Sequence, residues 1–158
     1  MNAGRILAGL ALLTATSTAS AQVTQDVTIA VNAISQIAVT GGAQSLTIST
    51  ATAGSAPTDA SASVTWAVTT NQTNQKVTAS LNSALPAGVT LSVSLEPPAG
   101  ASSPGAVSLG TSSADLVTGI ATLAANGLDL TYTLSATAAA GVVASTTRTV
   151  TYTITSGS

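Results

Sequence analysis

The chain has 158 residues, and only 5% are charged, three Lys or Arg against five Asp or Glu for a formal net charge of −2. Ordinary globular proteins carry about 25% charged residues. The clustered bases that displace counterions from nucleic acid or hold an anionic membrane are therefore missing, and a chain with no His and no Cys has no Ser-His-Asp, Cys-His or imidazole–metal chemistry.

The first element is a targeting signal. Arg5 precedes the apolar run Ile6 to Leu13, and Ala19-Ser20-Ala21 stands before Gln22. A basic n-region, a short h-region and an A-x-A site in that order predict a cleaved secretory signal peptide over Met1 to Ala21. The run is shorter than the roughly 20 apolar residues that span a bilayer. No integral membrane segment is expected after cleavage, and the expected location is the cell surface or the medium, through the periplasm. A single Arg favours the general secretory route, and the lack of Cys excludes a lipid anchor. The mature part, residues 22–158, holds two bases, Lys76 and Arg148, against five acids, a net charge of −3.

Beyond Gln22 the hydrophobic period is two almost throughout, the strand signature. Val23, Val27, Ile29 and Val31 alternate with small or polar residues, and Gln25 interrupts their apolar face. Ile37 and Val39 continue to a Gly41-Gly42 turn, and Leu46 and Ile48 form a short run. Residues 51–62 read as a loop with Gly54 and Pro57. Val64, Trp66 and Val68 alternate again before the polar stretch Asn71 to Gln75. Val77, Ala79 and Leu81 lead to the Pro86-Ala87-Gly88 break; Val89 to Leu95 is a strand closed by Pro97-Pro98. Val107 and Leu109 make a short strand, while Leu116 to Leu123 is ambiguous. Asn126-Gly127 reads as a turn opening the strand Leu128 to Leu134, and Val150, Tyr152 and Ile154 form the last strand. About eight short strands with Pro only between them predict an all-β, single Ig-like antiparallel β-sandwich over residues 22–158. Leu130-Thr131-Tyr132-Thr133-Leu134 and Val150-Thr151-Tyr152-Thr153-Ile154 are alike, which suggests neighbouring strands with their Tyr rings inward.

Little remains for catalysis. A carboxylate pair is the only route, and Asp115 with Asp129 is the only pair the reading brings near one another; isolated surface acids are the plainer account. No D-x-D-x-D cluster offers calcium its six or more oxygens. The expectation is a protein that is not an enzyme, with no catalytic residue, no cofactor and no metal. Trp66, Tyr132 and Tyr152 stand at inward phases and read as core anchors rather than sugar platforms. Asn71-Gln72-Thr73 fits a glycosylation sequon.

A weakly charged chain has little with which to guard sheet edges or repel its own copies. The alternating segment Gln22 to Ala33 is freed at one end by cleavage, and it can pair within its own sandwich or be given to a neighbour. After the last strand only Ser156-Gly157-Ser158 follow, so retention on a cell would need polymerisation or a partner.

Three stretches are similar to the cysteine-free, alpha-type colonisation-factor fimbrial pilins of Gram-negative bacteria. Asp26-Val27-Thr28-Ile29-Ala30-Val31 looks like their donor strand. Val68 to Val77 is similar to their Thr-Asn turn and Lys-Val strand, and Val150 to Ile154 resembles their last strand. The resemblance touches about a quarter of the chain. It implies an Ig-like pilin sandwich and a fibre assembled by strand exchange, with Val23, Val27, Ile29 and Val31 as the subunit-interaction residues. The expected partners are other copies of the chain or another surface protein. The alternatives are a monomeric secreted module binding carbohydrate or protein, and a surface binder using the row Thr147, Thr149, Thr151, Thr153 and Thr155, for example on ice. Cleavage after Ala21 predicts that the exported protein begins at Gln22, which N-terminal sequencing or intact mass checks.

Overall fold

The structure, a computed structural model, describes residues 20–157, so nearly all of the expected signal peptide lies outside the described residues. The chain divides into two units, Met1–Val31 and Asn32–Ser158. No helix among the described residues is long and apolar enough to cross a membrane.

The larger unit is a sandwich of two antiparallel sheets. Its strands are β1 (Ser35–Val39), β2 (Ala60–Thr70), β3 (Gln75–Leu81), β4 (Val89–Leu95), β5 (Val107–Ser108), β6 (Ala114–Ile120), β7 (Leu123–Ala136) and β8 (Val150–Ser156). One sheet has the order β1-β2-β7-β4-β5, the other β6-β3-β8. The alternation read from the sequence sets which side chains meet. Trp66, Val68, Leu91, Val93, Leu95 and Leu130 point in from the first sheet, and Val77, Ala79, Leu116, Val117 and Ile120 from the second. Trp66 is fully buried, and its indole Nε1 has no hydrogen-bond partner among the described residues.

Several sequence expectations are corrected. Asn126-Gly127 is not a turn: β7 runs through it, and Trp66 faces Leu128 while Val68 faces Ala125. Two residues of β7 therefore oppose Ala67 alone, a β-bulge with Gly127 at φ 67°. A bulge and a hairpin turn both need a left-handed glycine, so the dipeptide alone cannot tell them apart. Leu46 and Ile48 belong to no strand, because no neighbouring strand offers them a ladder. The ambiguous stretch after Ala114 is β6, ended before β7 begins at Leu123. The two Tyr-bearing strands are not sheet neighbours: β7 and β8 lie in different sheets.

Asn71 to Asn74 carry the chain from one sheet to the other. Asn71 clamps the entry to β1: its N–H donates to Ile34 O at 3.1 Å, its Oδ1 accepts from Ile34 N–H at 2.7 Å, and its Nδ2 donates to Asn32 O at 2.8 Å. The sequon nitrogen is thus a structural donor, and a glycan on it would disturb this clamp.

Set against the immunoglobulin plan, in which strands A-B-E-D form one sheet and C-F-G the other, β1-β2-β7-β4 take the places of A-B-E-D. β3 and β8 take those of C and F, while β5 and β6 are inserted between D and E. Among the described residues no strand takes the place of G, beside β8. The sandwich depends most on its central inward side chains. Leu130→Ala should cost about 2–5 kcal/mol, read as a lower urea midpoint with an unchanged slope.

A groove beside the last strand

The missing G position has physical consequences in the core. In β3 the inward residues Val77, Ala79 and Leu81 are 0%, 1% and 4% exposed. In β8, one strand further out, the inward residues Val150, Tyr152 and Ile154 are only half-buried. Among the described residues β8 forms a backbone ladder with β3 alone, from Val150 opposite Leu81 to Ser156 opposite Gln75. Its other edge has no ladder.

A groove of about 850 Å³ reaches the residues that lead into β8, Thr146 to Arg148, without including β8 itself. Two stretches without strand pairing, residues 44–50 and 142–148, line it, and Leu85, Val89, Leu91 and Leu134 add apolar wall from the sandwich. Leu46 and Ile48 are half-buried here, so their alternation serves the groove wall rather than a sheet. Arg148 is the one charged residue in the lining. Sequence reading missed this groove because neither stretch has a ladder partner in the chain itself.

The proposed donor residues lie in the other unit. From Ser20 to Val31 there is no regular secondary structure. Val23, Val27, Ile29 and Val31 are 92%, 75%, 89% and 84% exposed. The segment's alternation therefore forms no strand in the isolated chain, and its apolar face is open to solvent.

The remaining candidates separate. Asp115 on β6 pairs with Lys76 Nζ at 3.1 Å, while Asp129 lies on β7 in the other sheet, where its N–H donates to Glu96 Oε2 at 2.9 Å. The two acids the sequence grouped thus do not share a site. Glu96 and Asp129 instead line a shallow depression of about 350 Å³. No group of three or more Asp or Glu able to hold a metal occurs among the described residues. Thr151, Thr153 and Thr155 are exposed on the outer face of β8, but β3 sets Ser80, Thr78 and Lys76 opposite them. The wider hydroxyl array is on the other sheet, where Ser61, Thr133 and Ser92 form one cross-strand row and Ser63, Thr131 and Ser94 the next.

Tyr152 on β8 and Tyr132 on β7 join the two sheets. The Tyr152 hydroxyl donates to that of Tyr132 at 2.9 Å. Burial, then this bond, pushes the Tyr152 pKa far above its ordinary value of 10.0.

Comparison with protein-family models, with curated proteins and with solved structures finds no match to this chain.

Tyr152 stays neutral in the fold, whereas in the unfolded chain it ionises near pH 10. Its contribution to stability is therefore complete below about pH 10 and falls as pH rises further. In an alkaline titration followed by ultraviolet absorbance, its phenolate signal should appear only with unfolding, and Tyr152→Phe should remove that step.

Proposed function

We propose that this chain is an exported structural and adhesive subunit that assembles with copies of itself by strand exchange, as in a fimbrial or extracellular-matrix fibre. The observation that carries the reading is a matched excess and deficit. Among the described residues the sandwich has no strand beside β8, and the segment before it, residues 22–31, alternates without pairing and exposes its apolar face. Donating that segment to the groove of the next copy would complete both.

The dimensions agree. Residues 22–31 extend to about 33 Å at 3.3 Å per residue, enough to run along the seven residues of β8 and into the stretch before it. Fully burying Val23, Val27, Ile29 and Val31 contributes about 1.5–3 kcal/mol each, beside the backbone ladder gained along a free edge. The scarcity of charge, 5% of the chain, leaves little repulsion between copies. The resemblance to alpha-type pilins points the same way. A cell-surface location and the export signal belong to this reading.

Deleting residues 22–31, which lie outside the Asn32–Ser158 unit, from the mature chain should abolish assembly while leaving the sandwich folded. Electron microscopy of material sheared from the producing cells should show filaments only with the full segment, and light scattering of the deleted form should give a monomer. Filaments that persist without the segment would overturn strand exchange. A full-length chain that stays monomeric at high concentration would instead favour a secreted binding module, with the hydroxyl rows of the five-stranded sheet as its first candidate surface.

A further inference from the structure

The segment and the groove each contain one residue that breaks the pattern around it. In the segment, the odd positions 23, 25, 27, 29 and 31 share one face when extended, and Gln25 is the only polar residue among them. In the groove, Arg148 is the only charged residue of the lining. Arg148 precedes Val150 by two residues and is in phase with the half-buried Val150, Tyr152 and Ile154.

The guanidinium is already fixed. Nε donates to Ala84 O at 3.1 Å, and Nη1 donates to Thr146 Oγ1 and to Thr147 O at 3.0 Å. Among the described residues Nη2 donates no hydrogen bond, and the one ion pair is Lys76 with Asp115. Arg148 is half-buried with its groove open. Covering it with an apolar strand would remove water from Nη2 and supply nothing in return, which is unfavourable for any charged donor. The same holds for a Gln side chain pressed against an apolar wall.

We infer that Gln25 of one copy meets Arg148 of the next and so fixes the register of the donated strand. The inference rests on the strand-exchange reading. Gln25 Oε1 accepts from Nη2 of Arg148, and the four apolar residues on the same face take the remaining places along the groove and β8. A slip of two residues keeps the apolar face inward but sets Val23 or Val27 over the guanidinium and moves Gln25 away from it, among neutral lining residues such as Thr146, Ser145 and Leu46. Asp26, the segment's only charged side chain, has the opposite phase and faces away from the groove, so it does not compete for Arg148. A single buried polar pair that selects register at some cost in stability is an established device in coiled coils.

The test uses the full exported chain and three variants, Gln25→Val, Arg148→Leu and the double variant, with the dissociation constant of the assembly measured by analytical ultracentrifugation. Gln25→Val should weaken assembly about tenfold or more despite its added apolar surface, because it strands the guanidinium. Arg148→Leu should also weaken it, and the double variant should return to within about threefold of the native chain, a coupling that independent sites do not show. Gln25 lies outside the Asn32–Ser158 unit, so its effect reports assembly rather than folding. For Arg148→Leu a urea transition of the monomer separates the two. The inference fails if Gln25→Val assembles as tightly as the native chain or if the two effects add. Deletion of residues 22–31 tells the two readings apart. If assembly survives deletion, strand exchange itself is wrong; if deletion abolishes assembly while the point variants are additive, only the register is wrong.

Discussion

The free edge of β8 is the constraint on which the rest of the structure turns. A strand bonded on one side leaves about half of its backbone N–H and C=O groups pointing away from the ladder. Native proteins usually blunt such an edge with Lys, Pro or a bulge. β8 has none of these: its seven residues are Val-Thr-Tyr-Thr-Ile-Thr-Ser. Its outward face is a row of Thr, well suited to a strand, and its inward face is apolar and only half covered. An edge so unguarded in a chain so poor in charge is a template for pairing. The same deficit explains why Val150, Tyr152 and Ile154 are less buried than the residues of β3 beside them.

The fold narrows where that pairing can happen. Among the described residues the sheet order supplies no strand beside the free edge of β8. At the other end of the sandwich, Asn71 holds Asn32 and Ile34 through three hydrogen bonds. This ties the start of β1 to the crossing between the sheets. The tyrosine pair bridges the sheets beside the open edge, so the two halves of the core remain joined where the missing strand would otherwise brace them. The sandwich can therefore stand with one position open, which a subunit needs if it is to fold before it assembles.

Much of this was legible in the sequence because strand alternation is local. Wherever apolar residues alternated and a partner strand existed, as at Val64 to Val68 or Val89 to Leu95, the strand is present. The failures are all questions of partnership. Leu46 and Ile48 alternate but have no ladder, so they became groove wall. Asn126-Gly127 has the composition of a turn, and only the register of β2 against β7 reveals a bulge. The two Tyr-bearing strands share a pattern because both need an aromatic anchor facing inward, not because they pair. The groove was invisible for the same reason: it is defined by a neighbour the chain does not provide. Arg148 stood out only as one of two bases, and Gln25 only as a flaw in an apolar face.

Those two flaws bear on how so uniform a segment can be read. Val23, Val27, Ile29 and Val31 are nearly interchangeable in size and shape, so apolar burial alone would score a strand slipped by two residues almost as well as the right one. Period-two alternation fixes which face is buried but not where along the groove it lies. Register then has to come from a position where a wrong match is expensive rather than from one where a right match is favourable. A lone charged group beside an apolar surface is such a position, since it discriminates by the loss of its solvent. In a chain with two basic side chains beyond Gln22 and one of them tied to Asp115, Arg148 is the basic side chain left for that task under the proposed strand exchange, where low charge would become a source of specificity.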